Sequence, residues 1–240
     1  MSYLVDGYHY ETVAAAPASE RVRFIRRTYT HLAVAIAAFV GIEAALISTG
    51  VGEQILRSIF GAAGNAAWLG LMVLFVVGGM GAQMMARSRS APGLQYVGLM
   101  LYVGLEVIVF LPILTFAELR YPGQHVALQA GILTLALVAA LTLAVFVSGK
   151  DFSFLGPILW IGAFLSVGLV IAAVVGGFSL GLGFSFMMVA LAAGFIIYDT
   201  SNVIHHFSTD QHVAASLELF ASVAMLFYYI LRIFLSARND

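Results

Sequence analysis

The chain has 240 residues, of which 62% are hydrophobic and 10% charged, with 11 basic against 12 acidic side chains. Soluble domains carry about 25% charge, and a fold of this length could not cover a water-facing exterior with so few, so lipid is the solvent for most side chains. The near-neutral balance leaves no basic footprint for nucleic acid, and the absence of cysteine removes disulfide frameworks, thiolate zinc sites and thiol catalysis together.

Residues 1–28 are polar and mixed in charge, with Asp6, Glu11 and Glu20 set against Arg21, Arg23, Arg26 and Arg27. No apolar run precedes them, which argues against a cleaved signal peptide. A membrane-spanning helix needs about 20 mostly apolar residues. Seven stretches qualify: Tyr29–Thr49, Ala66–Met85, Leu94–Phe116, Val126–Val147, Leu155–Val175, Ser179–Tyr198 and Ala214–Leu235. Between the first two, Val51–Gly64 carries Glu53 and Arg57 beside Ile55, Ile59 and Phe60 and reads as a short interfacial helix. The turn Tyr121-Pro122-Gly123, the block Lys150 to Phe154 and the pair Gly176-Gly177 punctuate the rest. Internal glycines such as Gly78, Gly79, Gly81 and Gly194 read as packing surfaces, because small residues let membrane helices approach closely. A β-barrel is excluded, since the segments are about twice a barrel strand and lack its period of two. The chain therefore reads as an all-α membrane protein, with residues 29–236 as one seven-helix domain and 237–240 as a short tail.

Lys and Arg in the short loops set orientation. One side holds Arg21, Arg23, Arg26, Arg27, Arg87, Arg89 and Lys150; the other holds Arg57, Arg120 and Arg238, with Arg232 inside the last helix. The amino terminus is expected in the cytoplasm and Asp240 outside.

Charge inside a membrane helix costs about 2.5–3.5 kcal/mol or more near its centre, so each case is a candidate for function. Glu43, Glu106, Asp199 and Glu218 qualify, and no Lys or Arg lies in the body of the first six helices to neutralise them. Asp199 stands in Tyr198-Asp199-Thr200-Ser201-Asn202, followed by Val203, Ile204, His205 and His206. As structure alone this is a polar helix end; as function it is a carboxylate beside hydroxyls, an amide and imidazoles, the equipment of a proton or cation gate. In the last segment Glu218 and Ser222 share a helical face with Met225, and Tyr228 and Tyr229 follow a turn later. That stripe is expected to face the bundle interior.

These residues resemble a known family. Arg27-Thr28-Tyr29 with Leu32, Lys150-Asp151-Phe152-Ser153-Phe154-Leu155-Gly156, Tyr198-Asp199-Thr200-Ser201-Asn202-Val203-Ile204-His205 and Leu226-Phe227-Tyr228-Tyr229-Ile230-Leu231-Arg232 together look like the Bax inhibitor-1 family, closest to its bacterial YccA-like branch. The resemblance runs from Arg23 over nearly the whole chain. It implies a last helix enclosed by the other six, a bacterial inner-membrane location, and a pH-sensitive Ca2+ and H+ leak in which two aspartates, one on each of the last two helices, share a proton. Asp199 matches the first; the second falls on Ser222, with Glu218 one turn away as the candidate to replace it. A Ser carries no charge to share, so the pair is not intact. Glu106, before Pro112, resembles a glutamate of many members, and the arginine some members place near the gate has no counterpart between Ala66 and Met85. The resemblance also implies an alternative role, as substrate and modulator of the membrane-anchored AAA protease FtsH, with residues Ser2 to Glu20 as a handle.

An enzyme is not expected. Gly181-Leu182-Gly183 with Tyr198-Asp199 is similar to the paired motifs of presenilin-type aspartyl proteases, but the second aspartate position is Phe184, which leaves the acid–base chemistry without its partner. His31, Asp199, His205, His206 and His212 offer no metal-binding spacing of the HExxH kind. No resident cofactor is expected beyond transient Ca2+, and the sequence leaves the oligomeric state open.

Overall fold

The structure is a computed structural model that describes residues 12–63, 65–88 and 91–238. Residues 2–11 of the expected handle, Gly64, Arg89 and Asp240 lie outside the described residues, as do the side chains of Ile59 and Phe60. The described chain is helical: α1 Ala18–Ser48, α2 Val51–Ala63, α3 Asn65–Ala86, α4 Pro92–Arg120, α5 Val126–Ser148, α6 Gly156–Gly176, α7 Leu182–His205 and α8 His212–Ser236, with a single 3-10 turn at Ser153–Leu155 before α6. All but α2 are long and apolar enough to cross a membrane, which makes seven spans. At 13 residues α2 is too short to do so. It leans on α1, α3 and α4.

The boundaries follow local chemistry. Pro92 sits in the first turn of α4 and Pro157 in that of α6, where a missing N–H costs nothing. Gly149 and Gly177 close α5 and α6 in the left-handed region, at φ of 59° and 69°, which an L side chain resists.

Two boundaries differ most from the sequence reading. The first helix starts at Ala18 instead of Tyr29, because the basic stretch continues the helix in polar surroundings. Ahead of it Val13 is fully buried and its N–H donates to Phe207 O at 2.8 Å, while Arg21 donates to the carbonyls of Val13 and Ala14. Within the expected handle, Thr12 and Val13 are therefore docked against the α7–α8 loop, and Ala18 to Glu20 open α1. The sixth spanning helix runs on past Tyr198 to His205, so Asp199, Thr200, Ser201 and Asn202 are helical and buried rather than a solvated helix end.

The last helix packs against α1, α3, α4, α5 and α7, while α6 leans on α7 and α3. Enclosure of α8 by all six does not follow from this packing. The burial runs along two inner helices, α4 and α8, whose buried residues include Tyr102, Phe110, Leu217, Phe220 and Leu226. Phe39, Phe110, Phe220 and Phe227 interlock there, with ring centroids 5.1–6.5 Å apart. Close approach is set by Gly98 of α4: a Cβ at this position would stand 2.5 Å from Ala82 O and 2.6 Å from Ala86 N. On α6, by contrast, Ile158, Ile161, Phe164 and Leu165 are exposed, as befits a lipid-facing wall.

Candidate functional site

The expected polar stripe of α8 lies against α7 and the end of α3. Ser222 Oγ donates to Asp199 Oδ2 at 2.5 Å, and both residues are buried, 5% exposed each. The position that the resemblance assigns to a second aspartate is thus in direct contact with Asp199, and a hydroxyl fills it. Asp199 lies six residues before the end of α7, about 9 Å along the axis from it.

One turn earlier on α8, Glu218 Oε1 receives Arg87 Nη2 at 2.5 Å. Arg87 follows directly on α3, two residues beyond the Ala66 to Met85 segment, and gives Glu218 a cation from outside the body of the helices. The Glu218 side chain is 18% exposed and that of Arg87 57%, so the pair spans from the bundle to its polar end. Sequence spacing could not find this contact, because 131 positions separate the two residues.

The other two intramembrane carboxylates sit elsewhere. Glu106, 4% exposed on α4, has the hydroxyl of Tyr102 beside its carboxyl, one turn back on the same helix. Tyr102 in turn lies within electrostatic reach of Asp199, as does Glu218. Glu43 is buried on α1, and neither of its carboxylate oxygens has a hydrogen-bond partner among the described residues. The structure therefore brings Asp199, Ser222 and Glu218 into one site, places Glu106 beside it through Tyr102, and leaves Glu43 apart.

The two most distinctive sequence blocks meet at the same end. Asp151 Oδ1 accepts the backbone N–H of Ser153 at 2.8 Å, Asp151 Oδ2 pairs with His206 Nε2 at 2.9 Å, and Ser201 Oγ lies 3.3 Å from Asp151 Oδ1. Phe152 N–H donates to Ser201 Oγ at 2.8 Å. The Ser153 N–H first, with the Ser153 hydroxyl and His206 adding to it, holds the Asp151 carboxyl down to about 2. This stitches the loop before α6 to α7 at Ser201, two residues after Asp199, and to His206 just past the helix end.

The four candidate histidines divide between two places. His31 Nδ1 lies 2.7 Å from Arg27 O and its ring is 5.1 Å from that of His212, whereas His205 lies against Ser201 O and His206 against Asp151. Among the described residues no three His, Asp or Glu side chains gather as metal ligands would. Phe184 opens α7 against Tyr229, about 22 Å along the helix from Asp199.

Comparison with known proteins agrees with these motifs. A family model described as "Inhibitor of apoptosis-promoting Bax1" matches residues 21–240. The chain is 39% identical to a BI1-like protein of Arabidopsis thaliana over 129 residues, 48% of this chain and 47% of the relative. It is 29% identical to Bax inhibitor 1 of Schizosaccharomyces pombe, over 60% of this chain and 53% of that one. With Protein lifeguard 4 of Mus musculus it shares 26% identity over 99% of this chain and 95% of the mouse protein. The matches to the plant and yeast proteins span about half the length of each relative.

Proposed function

Because the chain belongs to the Bax inhibitor-1 family, we propose that it is a non-enzymatic, pH-sensitive leak for Ca2+ and H+ with Asp199 as its titrating gate. The observation that carries this reading is the Asp199–Ser222 hydrogen bond, a carboxylate held inside a membrane bundle by a neutral partner from the neighbouring helix. An ionised carboxylate only accepts a hydrogen bond, whereas a protonated one also donates, so each proton exchanged at Asp199 resets the α7–α8 contact. Hard cations take oxygen ligands. Asp199, with Glu106 nearby, supplies such oxygens in a chain without thiolates.

In this reading Ser222 replaces the family's second aspartate, and the proton sits on one carboxyl rather than being shared by two. Glu218 is engaged by Arg87, which favours an anchoring role for it over that of a substitute dyad member. The surplus of Arg and Lys at the end bearing Arg21, Arg23 and Arg87 favours an amino terminus in the cytoplasm and a carboxy terminus outside, in a bacterial inner membrane. Phe184 stands where a presenilin-type protease needs its second aspartate, which favours a non-hydrolytic role. Modulation of the protease FtsH remains the second reading, but the docking of Val13 and Arg21 onto the bundle gives it less support, since a handle needs free chain.

The test is Ca2+ flux into liposomes holding the purified protein, measured at pH 6 and pH 8, test values spanning neutrality. Asp199→Asn is expected to abolish the difference between the two. Flux that keeps its pH response in this variant would overturn the gating role.

A further inference from the structure

The start of α1 and the segment ahead of it grip the loop that joins α7 to α8. Thr12 and Ser208 form an antiparallel bridge, and the Val13 N–H donates to Phe207 O at 2.8 Å. Val13 is buried in the same core as Val203 and Val213, which flank the loop on α7 and α8. The ring of Phe24 on α1 lies 6.4 Å from that of Phe207. Arg21 closes the arrangement: its Nη2 donates to Ala14 O at 2.7 Å and its Nε to Val13 O at 3.2 Å. Residues 12–16 are thus folded back along α1 and tie the loop to it.

The loop joins the two helices that meet at Asp199 and Ser222, so α7 and α8 cannot part at this end unless residues 206–211 move. His206 ties the other side of the loop to Asp151, ahead of α6, and releasing residues 12–16 would free it from α1 alone. The hold of those residues is slight. Val13 and Ala16 are buried, whereas Thr12, Ala14 and Ala15 are exposed. Two small apolar side chains and a few hydrogen bonds must offset the entropy of ordering five residues. Such a segment opens far more readily than the helices beneath it.

We propose that residues 12–16 are a latch on the α7–α8 hairpin. Docked, the latch holds the hairpin to α1 and keeps the Asp199–Ser222 contact closed. Released, it lets α7 and α8 part and the leak rises. Val13 is the catch, and Arg21 is the positioning residue that fixes the carbonyls on either side of the Val13–Ala14 peptide. The gating half of the proposal rests on Asp199 as the gate of the leak; the docking half stands on the loop geometry alone.

The chain has no cysteine, so Thr12→Cys with Ser208→Cys introduces the only two thiols. Residues opposite one another in an antiparallel bridge stand about 4.5–5.5 Å apart at Cα, within the span of a disulfide. Oxidising the full chain in liposomes is expected to form the cross-link and to lower Ca2+ flux at least fivefold. Reduction of the same vesicles is expected to restore it, and each single-cysteine variant should respond to neither treatment. A cross-link that leaves flux unchanged overturns the gating half, and failure of the cross-link to form overturns the docking. Hydrogen exchange reads the docking without flux. Val13→Ala is expected to speed exchange at the amides of Phe207 to Gln211 at least tenfold, with those of α6 unchanged. Unchanged exchange in the loop, or equal acceleration in α6, overturns the latch. No flux from the wild-type protein would overturn the leak reading and the gating half with it, while the exchange result still decides the docking.

Discussion

The inner helices α4 and α8 and the outer helix α6 are all long and apolar, yet they treat their polar groups differently. On α6 the hydroxyl of Ser166 donates to Gly162 O of its own helix at 2.7 Å. On α8 the hydroxyl of Ser222 crosses to Asp199, and Glu218 crosses to Arg87. Ser166 is itself buried, yet its hydroxyl turns to its own backbone, as that of Ser216 does on α8. A helix with neighbours on most sides exchanges partners with them, and there a carboxylate becomes tolerable. Two glycines mark the extremes of packing: Gly98 of α4 meets backbone atoms of α3, while Gly168 of α6 has open space around its Cβ position.

The strongest way to break the comparison is to add one methyl to each class of glycine. Gly98→Ala drives Cβ into the backbone of α3, and we expect a loss of ~3 kcal/mol or failure to fold, by the cost of overpacking. Gly168→Ala is expected to be neutral or slightly stabilising, by about 1 kcal/mol at most from helix propensity. Thermal unfolding in detergent of the two variants side by side decides it, and equal midpoints would remove the distinction between inner and outer helices.

A second substitution restores the family's pairing. Ser222→Asp sets two carboxyls in contact, and like charges at that separation titrate in two steps, ~1 pH unit or more apart. The pH profile of Ca2+ flux should broaden from one transition to two. A single unshifted transition would mean that the α7–α8 contact is not where the protein senses protons.

Arg87→Ala, Glu218→Gln and the double variant form a cycle for the cross-helix ion pair. Arg87 is more than half exposed, so solvent screening brings the coupling to ~1 kcal/mol, well below that of a fully buried pair. A coupling near zero in unfolding measurements would make the contact incidental to the packing of α3 on α8. The smallest effect is expected at Asp151, which is exposed. Its carboxyl is lowered in the folded chain to about 2, so its contribution is present above the ordinary carboxylate range of about 4 and is lost as pH falls through about 2. Asp151→Asn should therefore cost ~0.5 kcal/mol or less at pH 6, and the difference from wild type should vanish near pH 2. A difference that persists at pH 2 would mean that something other than the charge on Asp151 is being measured.

The sequence by itself determined the solvent, the number of spans and the choice of inward-facing residues. Hydropathy over about 20 residues needs no tertiary information, because a bilayer imposes the same length on every helix. Glu218 and Ser222 could be placed on one face of α8 because helical spacing is a local property. Spacing could not say that Asp199 lies inside a helix that continues to His205, since polar residues at a membrane exit look alike whether they cap a helix or are buried by its neighbours. Nor could it join Arg87 to Glu218, Asp151 to His206 or Val13 to Phe207. Those contacts depend on which faces of distant helices meet, and only the packing around α4 and α8 settles that.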